Sequence, residues 1–318
     1  MQLDLTQMLA KIEAGAWHLD DVDWEQPGQE LIREDQFAKL RDFMCDLVWI
    51  EHVGAKGFAA LARLAPDPQL VAIYHHFERE EEQHARAELA LMRRWGMVAP
   101  GEIPVANINV RLVMQWLDQH ADQLDFATLT CVIAMLEVAL DGALVKLLLD
   151  EVADPVCHQV FALINRDEAR HLAIDFHVME LVGMSARSRQ ALKFVAKTVK
   201  PVHLAGLLAY VPLLSRMRNN LMKMGLDEER LYKAIRRFDE VGSRSPATER
   251  LPAYRFVRAH GRMMVDRSHP YHYVADALVS LTGAIPERAL GPLPSWTRSL
   301  LEHPPAAHAR QMQAAAQA

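Results

Sequence analysis

The chain has 318 residues, of which 51% are hydrophobic and 24% charged, with a formal net charge of -6 at pH 7. This length allows a sizeable core, and the modest Gly and Pro content excludes a fibrous or largely disordered protein. The first residues lack a basic segment followed by an apolar run, so we expect no secretory signal. Cys45, Cys131 and Cys157 form neither a CxxC pair nor an even disulfide framework, which favours a reducing cytoplasm.

Helical periodicity dominates the chain and strand-like alternation is nearly absent, which predicts an all-α protein. We divide it into an N-terminal extension, a main bundle, basic C-terminal helices completing the same domain, and a low-complexity tail expected to be disordered. These parts cover residues 1–32, 33–184, 185–300 and 301–318.

Four long helices are predicted in the main bundle, with a shorter helix near 110–120 between the second and the third. Pro66 and Pro68 end the first helix, Gly96 ends the second, and Asp154-Pro155 precedes the fourth. The four helices cover residues 33–63, 69–95, 126–149 and 156–182. Further helices are expected at 185–224, with a break near Pro201, at 226–241 and at 254–265.

The apolar run 128–149 is long enough to span a bilayer, but Glu137 and Asp141 lie near its middle. A charge at that depth costs about 2.5–3.5 kcal/mol even on the mildest insertion scale. We therefore interpret the run as a buried helix of a protein that does not cross the membrane, and its two acids need partners of their own.

Two Glu-x-x-His pairs, Glu81 with His84 and Glu168 with His171, lie on the second and fourth helices. Three-residue spacing places both side chains of a pair on one helix face, where they can bind the same ion. Taken alone, such a pair is more often found on a protein surface. The acids around Glu81 are expected to form a solvated charge run: Glu78, Glu80 and Glu82.

The spacing of four glutamates is symmetrical about the turns. Glu51 and Glu81 are each 15 residues from Pro66, while Glu137 and Glu168 are each 15 or 16 residues from the second turn. At about 1.5 Å rise per residue, every carboxylate lies roughly 22 Å from its own turn. If the two hairpins pack side by side, four carboxylates and two imidazoles meet in one layer.

Such a layer requires cations, because four buried carboxylates without them would heavily destabilise the fold. Two divalent cations compensate four negative charges. Oxygen-rich ligation with one imidazole per ion suits iron or manganese better than the thiolate-rich sites that zinc favours. We predict two iron ions, with a manganese–iron pair as the alternative, and the following ligands: Glu51, Glu81, His84, Glu137, Glu168 and His171.

This order of Glu, Glu-x-x-His, Glu, Glu-x-x-His on four helices resembles that of the ferritin-like carboxylate-bridged di-iron proteins. The resemblance covers residues 33–182, about half of the chain, and is specific for the metal site rather than for the reaction. It implies a ferritin-like bundle in which Glu51 and Glu137 are the remaining terminal or bridging carboxylates. It also implies oxygen activation, in which reduced metal ions react with O2 and the site oxidises a C–H or N–H bond.

Departures from known branches of this class narrow the reaction. A ribonucleotide reductase small subunit carries a radical Tyr where this chain has Glu88, and the related ligand-binding oxidases carry a Tyr where it has Val132. The stretch DEARH at 167–171 is similar to the fourth-helix motifs of acyl-carrier-protein desaturases and p-aminobenzoate N-oxygenases. Ile164, however, replaces the third histidine of the N-oxygenases. Hydroxylation, N-oxygenation and desaturation therefore stay open.

Three further acids lie at helical spacing from the ligands or beside them. Asp141 is one turn beyond Glu137 and Asp175 is one turn beyond His171, so either could accept the free N–H of a metal-bound imidazole. Asp141 is alternatively a catalytic residue that lines the substrate cavity. Asp167 is expected to pair with Arg170 or to support a ligand.

Residues 186–267 carry 18 Lys and Arg against 7 Asp and Glu, a net charge of +11, whereas the rest of the chain carries 17 against 34. This basic segment could dock an acidic partner: an acyl carrier protein, a ferredoxin-like electron donor or an anionic substrate. The substrate itself is expected to be a small organic molecule or a carrier-bound group, and a homodimer is one expected assembly. Two other functions stay open, namely an iron-handling ferroxidase and an RNA-modifying hydroxylase that would use the basic segment to hold phosphates.

Overall fold

The computed structural model describes residues 4–139, 145–185, 213, 215–220, 222–224, 228–283 and 285–286. In these ranges the regular secondary structure is helical and no β-strand is present, as the sequence predicts. The helices are α1 Leu5–Gly15, α2 Glu34–Leu64, α3 Pro68–Arg94, α4 Ile108–His120, α5 Phe126–Ala139, α6 Lys146–Glu151, α7 Pro155–Ser185, α8 Glu229–Gly242, α9 Pro246–Glu249, α10 Pro252–Val265 and α11 Pro270–Gly283.

Helices α2, α3, α5 and α7 form a four-helix bundle. α2 packs against α3 and α5, and α7 packs against the same two helices, so the four axes enclose one core. The observed bounds of α2 and α3 differ from the predicted ones by a single residue, because proline and a cap fix the turn between them. Among the described helices, none is long and apolar enough to cross a membrane.

Aspartate caps fix where three of the four bundle helices begin, namely α3, α5 and α7. Asp67 accepts a hydrogen bond from the backbone N–H of Gln69 at 2.7 Å, and Asp125 accepts one from that of Thr128 at 3.1 Å. Asp154 caps α7 through the N–H of Val156 at 3.0 Å. An oxygen at this position satisfies a backbone donor that the first turn leaves unpaired. The ligand positions on these three helices are therefore counted from defined helix starts.

Asp154 also ties α7 to the far end of α3. Its carboxylate accepts hydrogen bonds from Arg94 Nε at 2.8 Å and from Trp95 Nε1 at 2.7 Å, and the side chain is fully buried. A buried carboxylate with three donors is satisfied without a metal ion. This contact sets the axial offset between the two helices that carry the Glu-x-x-His motifs.

The other helices pack around the bundle. α1 lies on α3, α4 on α2, α8 and α10 on α5, and α9 on α7. Gly183 permits the last contact, because a Cβ at this position would overlap the backbone of Ala247. The N-terminal extension therefore carries a helix, and the described C-terminal helices belong to the same packed body. The predicted tail, Asp141 and most of 185–224 lie outside the described residues.

Candidate metal centre

The interior stripes of α3 and α7 carry polar residues at helical spacing. On α3, Tyr74, Phe77, Glu81, His84 and Glu88 follow one another at intervals of three and four residues, and all five are fully buried. This spacing keeps side chains on one face of a helix. The core-facing side of such a helix is ordinarily apolar. On α3, however, two acids and an imidazole lie on this side and are buried in the core.

All six candidate ligands meet in two buried clusters that could each hold a metal ion. In each cluster the four ligand atoms lie within 4.8 Å of one another. The first cluster contains His84 and the second contains His171. Their members are Glu51, Glu81, His84 and Glu168, and Glu81, Glu137, Glu168 and His171.

Glu81 and Glu168 belong to both clusters. Glu168 Oε1 lies 3.3 Å from His84 Nδ1, while its Oε2 lies 3.6 Å from His171 Nδ1. Glu51 approaches only the first imidazole, at 3.5 Å, and Glu137 only the second, at 3.4 Å. The arrangement places two carboxylates between the clusters and leaves one carboxylate at each outer end.

The carboxylate oxygens and imidazole nitrogens that face the centre are left without hydrogen bonds to other described residues. In the part of the chain that the structure describes, they are buried and lack a hydrogen-bond partner. An unsatisfied buried carboxylate is costly, whereas a bound cation would satisfy all of these atoms at once. The residues therefore fit two divalent ions. The atoms are Glu51 Oε2, both oxygens of Glu81 and of Glu137, Glu168 Oε2, His84 Nδ1 and His171 Nδ1.

The pKa shifts show how strongly these charges interact. Burial and the neighbouring Glu168 raise the pKa values of Glu81 and Glu137 well above the usual range. Burial alone would lower the pKa values of His84 and His171, but the surrounding carboxylates raise both. The pKa of Glu168 is lowered in spite of its burial, chiefly because of His171. In the metal-free protein, protons on these side chains therefore offset the negative charge that two divalent ions would otherwise offset.

The outer nitrogen of each imidazole is held by an acid. His171 Nε2 lies 2.9 Å from Glu80 Oε2, and His84 Nε2 lies 3.2 Å from Asp167 Oδ2. Arg170 donates to both acids, at 2.7 Å to Glu80 and 2.6 Å to Asp167. Both imidazoles therefore present Nδ1 to the centre, because Nε2 is occupied on the other side.

One sequence prediction about these partners was wrong, and one of two alternatives did not hold. Glu80 was expected in a solvated charge run, yet its side chain is only 12% exposed and holds His171. Asp175 was one of two residues that could accept the imidazole N–H, but its oxygens have no hydrogen-bond partner among the described residues, and Glu80 takes that role for His171. The predicted pairing of Asp167 with Arg170 is confirmed, and Asp167 also takes the alternative role, because it holds His84.

A signal for these partners exists in the sequence. An acid immediately precedes the glutamate in both motifs, since Glu80 precedes Glu81 and Asp167 precedes Glu168. Each of these acids holds the histidine of the other motif rather than that of its own. The two helices are thereby cross-linked by two equivalent hydrogen bonds.

The N-terminal extension closes one side of the site. Trp17 donates from Nε1 to Asp167 Oδ2 at 2.7 Å, and its ring stacks on His84 with centroids 6.4 Å apart. Gln83 donates to the Trp17 carbonyl oxygen. Trp17 is buried in this position, so the extension contributes a side chain to the surroundings of the metal centre.

Gly54 makes room for one of the shared carboxylates. A Cβ at this position would overlap Glu81 Oε2. The side chain of Glu81 therefore lies against the bare backbone of α2, and this close approach brings it towards both clusters. Here the glycine is required by space rather than by backbone conformation.

Glu88 is an additional buried acid beside the first cluster. It occupies the position where a ribonucleotide reductase small subunit has its radical Tyr, and it is fully buried. Burial and the nearby charge of Glu51 raise its pKa well above the usual range. Sequence reasoning treated Glu88 only as the absence of a tyrosine.

Comparisons with known proteins identify the fold of this chain. No family model and no curated protein matches the sequence. Solved structures do match over most of the chain, and the fold is a ferritin-like helical bundle, as the sequence predicts.

The matching structures include variants of an R2-like ligand-binding oxidase. One, with an aerobically reconstituted Mn/Fe cofactor, aligns with 81% of this chain and 93% of its own, at 12% identity and a TM-score of 0.50. Another, with an Fe/Fe cofactor, aligns with 87% of this chain and 93% of its own, at 11% identity and a TM-score of 0.49. At such low identity the likeness concerns the fold.

Proposed function

We propose that this protein is an O2-dependent oxidoreductase with a dimetal centre, held by Glu51, Glu81, His84, Glu137, Glu168 and His171. The observation that carries the proposal is the pair of buried clusters that share two carboxylates. Shared carboxylates hold two ions close enough to react together with one O2 molecule. A solved structure of the same fold contains a Mn/Fe cofactor, which supports this assignment.

Bound in this site, the reduced ions would supply electrons to O2, and the chain would control the surroundings of that reaction. Glu80 and Asp167 orient the two imidazoles through their outer nitrogens. Phe58 and Phe77 pack on the ring of His171, with centroids 5.1 and 4.1 Å away, and exclude water from that side. A dry site strengthens every charge interaction inside it.

The finer assignments are part of the same proposal. We assign two iron ions first and a manganese–iron pair second, and we assign hydroxylation, N-oxygenation or desaturation of a small organic or carrier-bound substrate. Asp141 is proposed as a catalytic residue that lines the substrate cavity. The free cysteines Cys45, Cys131 and Cys157 support a cytoplasmic location. A homodimer is the proposed assembly.

An acidic electron donor or acyl carrier protein is proposed to dock on the basic segment 186–267. Several of its described arginines are already paired within the chain, which leaves less positive charge for a partner. Arg216 pairs with Asp46, and Arg262 pairs with Asp239. The docking proposal therefore rests on the net charge of the sequence. The same pairing also leaves fewer arginines in this segment to bind RNA phosphates.

Elemental analysis followed by O2 uptake tests the proposal. The protein is loaded anaerobically with Fe(II), the metal is quantified, and O2 consumption is measured after chemical reduction. For the wild type we expect two metal ions per chain and repeated O2 consumption under continued reduction. In Glu137→Ala we expect the metal content to fall and O2 consumption to be lost. Glu180→Gln, an exposed acid on α7, is the control and should match the wild type.

Three outcomes would contradict the proposal. Less than one metal ion per chain would exclude the dimetal centre, and an unchanged Glu137→Ala variant would exclude the assigned ligands. O2 uptake that ends when the added iron is oxidised, with further iron retained by the protein, would indicate an iron-handling ferroxidase instead.

A further inference from the structure

A chain of hydrogen bonds connects the outer nitrogens of the two imidazoles at the metal centre. It runs from His84 Nε2 to Asp167 Oδ2 at 3.2 Å, and from Asp167 Oδ1 to Arg170 Nη2 at 2.6 Å. It continues from Arg170 Nη2 to Glu80 Oε1 at 2.7 Å, and from Glu80 Oε2 to His171 Nε2 at 2.9 Å. The two clusters are therefore joined twice, on the inside by shared carboxylates and on the outside by this chain, which we call the Arg170 bridge.

Both acids of the bridge bind the same nitrogen of Arg170. Nη2 donates to Glu80 and to Asp167, whereas Nε has no hydrogen-bond partner among the described residues. A guanidinium carries donors on three nitrogens and could serve two acids through different atoms. Because the acids converge on one atom here, a displacement of Nη2 changes both contacts at the same time.

The guanidinium of Arg170 lies between the two acids and the N-terminal extension. The side chains of Arg170 and Glu80 are each 12% exposed, and that of Asp167 is fully buried. A Cβ at Gly15 would lie 3.3 Å from Arg170 Nη1, so the extension passes directly over the guanidinium. Arg166 holds the extension there by donating to the Gly15 carbonyl oxygen at 2.7 Å. This cover restricts rotation of the guanidinium away from the acids.

The charges of the bridge favour a cation that is shared. Two carboxylates share one guanidinium, so the three groups together keep one negative charge. The acids can therefore still accept hydrogen bonds from both imidazoles, as metal-bound histidines require. A guanidinium that paired only with Asp167, the acid on its own helix, would leave the mostly buried Glu80 without the charge of an arginine, which is costly.

We propose that Arg170 is a positioning residue for both metal ions and that it couples their binding. The inference rests on the proposed function and adds a role for a residue outside the ligand set. An ion that binds at one cluster fixes the imidazole there, and the Arg170 bridge transmits this order to the acid and the imidazole of the other cluster. The second ion then meets an imidazole that is already oriented, so less conformational freedom is lost when it binds. By reciprocity, each ion raises the affinity for the other by the same factor.

Titration of the metal-free protein with Mn(II), followed by calorimetry and by EPR, tests this inference. Calorimetry gives the two stepwise dissociation constants, and EPR distinguishes a lone Mn(II) ion from a magnetically coupled pair. For the wild type we expect two ions per chain and the pair signal from the first additions onwards. In Arg170→Ala both dissociation constants should rise about 10–100-fold, and a lone-ion signal should appear at half loading. Lone-ion signals of equal size in the two proteins would overturn the coupling.

Two further variants separate the bridge from general effects of charge and packing. Arg79→Ala removes an exposed arginine next to Glu80 on α3 and should match the wild type. Arg170→Lys keeps the positive charge and N–H donors but lacks the planar fork of a guanidinium. It should therefore regain part of the lost affinity at both clusters.

A double-mutant cycle shows whether Arg170 acts through the two acids. In protein that already carries Asp167→Asn, Arg170→Ala should change affinity at the His84 cluster by about twofold or less. It should still weaken the His171 cluster about 10–100-fold. The reverse pattern is expected in Glu80→Gln. An arginine that only packs the helices together would add the same loss to both clusters in either background, and such additive losses would overturn the inference.

Metal loading separates the two levels of failure. A wild-type protein that binds fewer than two ions contradicts the proposed function, whereas wild-type constants at both clusters in Arg170→Ala contradict only the role of Arg170. If Arg170→Ala fails to fold, Arg170→Gln decides the question, because it keeps a polar side chain with N–H donors and removes the charge. Loss of affinity at both clusters in Arg170→Gln supports the inference, and an unchanged pair of constants overturns it.

Discussion

At the scale of single residues, the two histidines are oriented by acids from opposite helices. Glu80 on α3 holds His171 on α7, and Asp167 on α7 holds His84 on α3. A residue next to a ligand on a helix points about 100° away from it, towards the neighbouring helix rather than towards the centre. The acid that precedes each glutamate is therefore placed to reach the imidazole of the facing motif.

Removing either acid should weaken one metal ion more than the other. We expect Asp167→Asn to reduce affinity at the His84 cluster by about 10–100-fold, and Glu80→Gln to do the same at the His171 cluster. Each variant is the control for the other, and metal titration followed by a spectroscopic probe of each ion measures the effect. Wild-type affinity in both variants would show that these hydrogen bonds do not orient the ligands.

Gly54 provides a second test at this scale. Gly54→Ala should push the Glu81 carboxylate out of both clusters, so we expect the metal content to fall from two ions towards none. Gly57→Ala is the matched control, because Gly57 lies about one turn from Gly54 on α2. Its added Cβ would overlap Ile133 of α5 in the apolar core rather than a ligand. That control should lower the melting temperature while both metals stay bound. Equal metal loss in the two variants would point to general unfolding instead.

At the scale of helices, the sequence allows the bundle and the ligand layer to be predicted, because both follow from periodicity along single helices. Proline and aspartate fix the turn at 65–67, so Glu51 and Glu81 reach the same level. Contacts between side chains of different helices do not follow from the periodicity of a single helix. Asp175 has the correct spacing from His171, but Nε2 of that imidazole turns sideways to α3, where Glu80 lies.

The N-terminal extension shows the same limit more clearly. Nothing in its composition connects Trp17 with Asp167, which lies 150 residues further on. Only the packing of α1 on α3 places the indole over His84. A contact of this kind depends on the assembled bundle, and short-range patterns in the sequence do not contain it.

Two substitutions at Trp17 separate packing from hydrogen bonding. Trp17→Ala removes a buried aromatic side chain and should cost about 3–5 kcal/mol of unfolding free energy. Trp17→Phe keeps most of that packing and loses the bond to Asp167, which should cost about 1.5–3 kcal/mol because the acceptor is charged. Chemical denaturation of the metal-loaded variants measures both values. A Trp17→Phe variant as stable as the wild type would show that the hydrogen bond contributes nothing beyond packing.

At the scale of the whole molecule, charge balance links folding to metal binding. In the metal-free protein, the pKa values of both histidines and of Glu81 and Glu137 are raised, so these groups hold protons in the core. Metal binding needs neutral imidazoles and ionised carboxylates, so those protons must leave. Two divalent ions then balance the four carboxylates that these protons had partly neutralised.

The sign of the pH dependence follows from these shifts. A group whose pKa is raised in the folded state favours folding below its unfolded pKa, and that contribution is lost as the pH rises through the folded value. His84, His171, Glu81 and Glu137 all act in this direction, as does Asp175 with a pKa of about 8. Glu168 acts in the opposite direction, since its pKa is lowered.

Metal-free protein should therefore lose stability as the pH rises, while metal affinity should increase because fewer protons compete for the ligands. We expect the difference in melting temperature between loaded and metal-free protein to widen from about pH 6 to about pH 9. Saturation at a hundredfold excess over Kd should add about 2.7 kcal/mol for each site. Calorimetric titration in buffers of different ionisation enthalpy should show on the order of two to four protons released near neutral pH. Metal binding without proton release would contradict this charge balance, because the ions would then be adding to the protons in the core rather than replacing them.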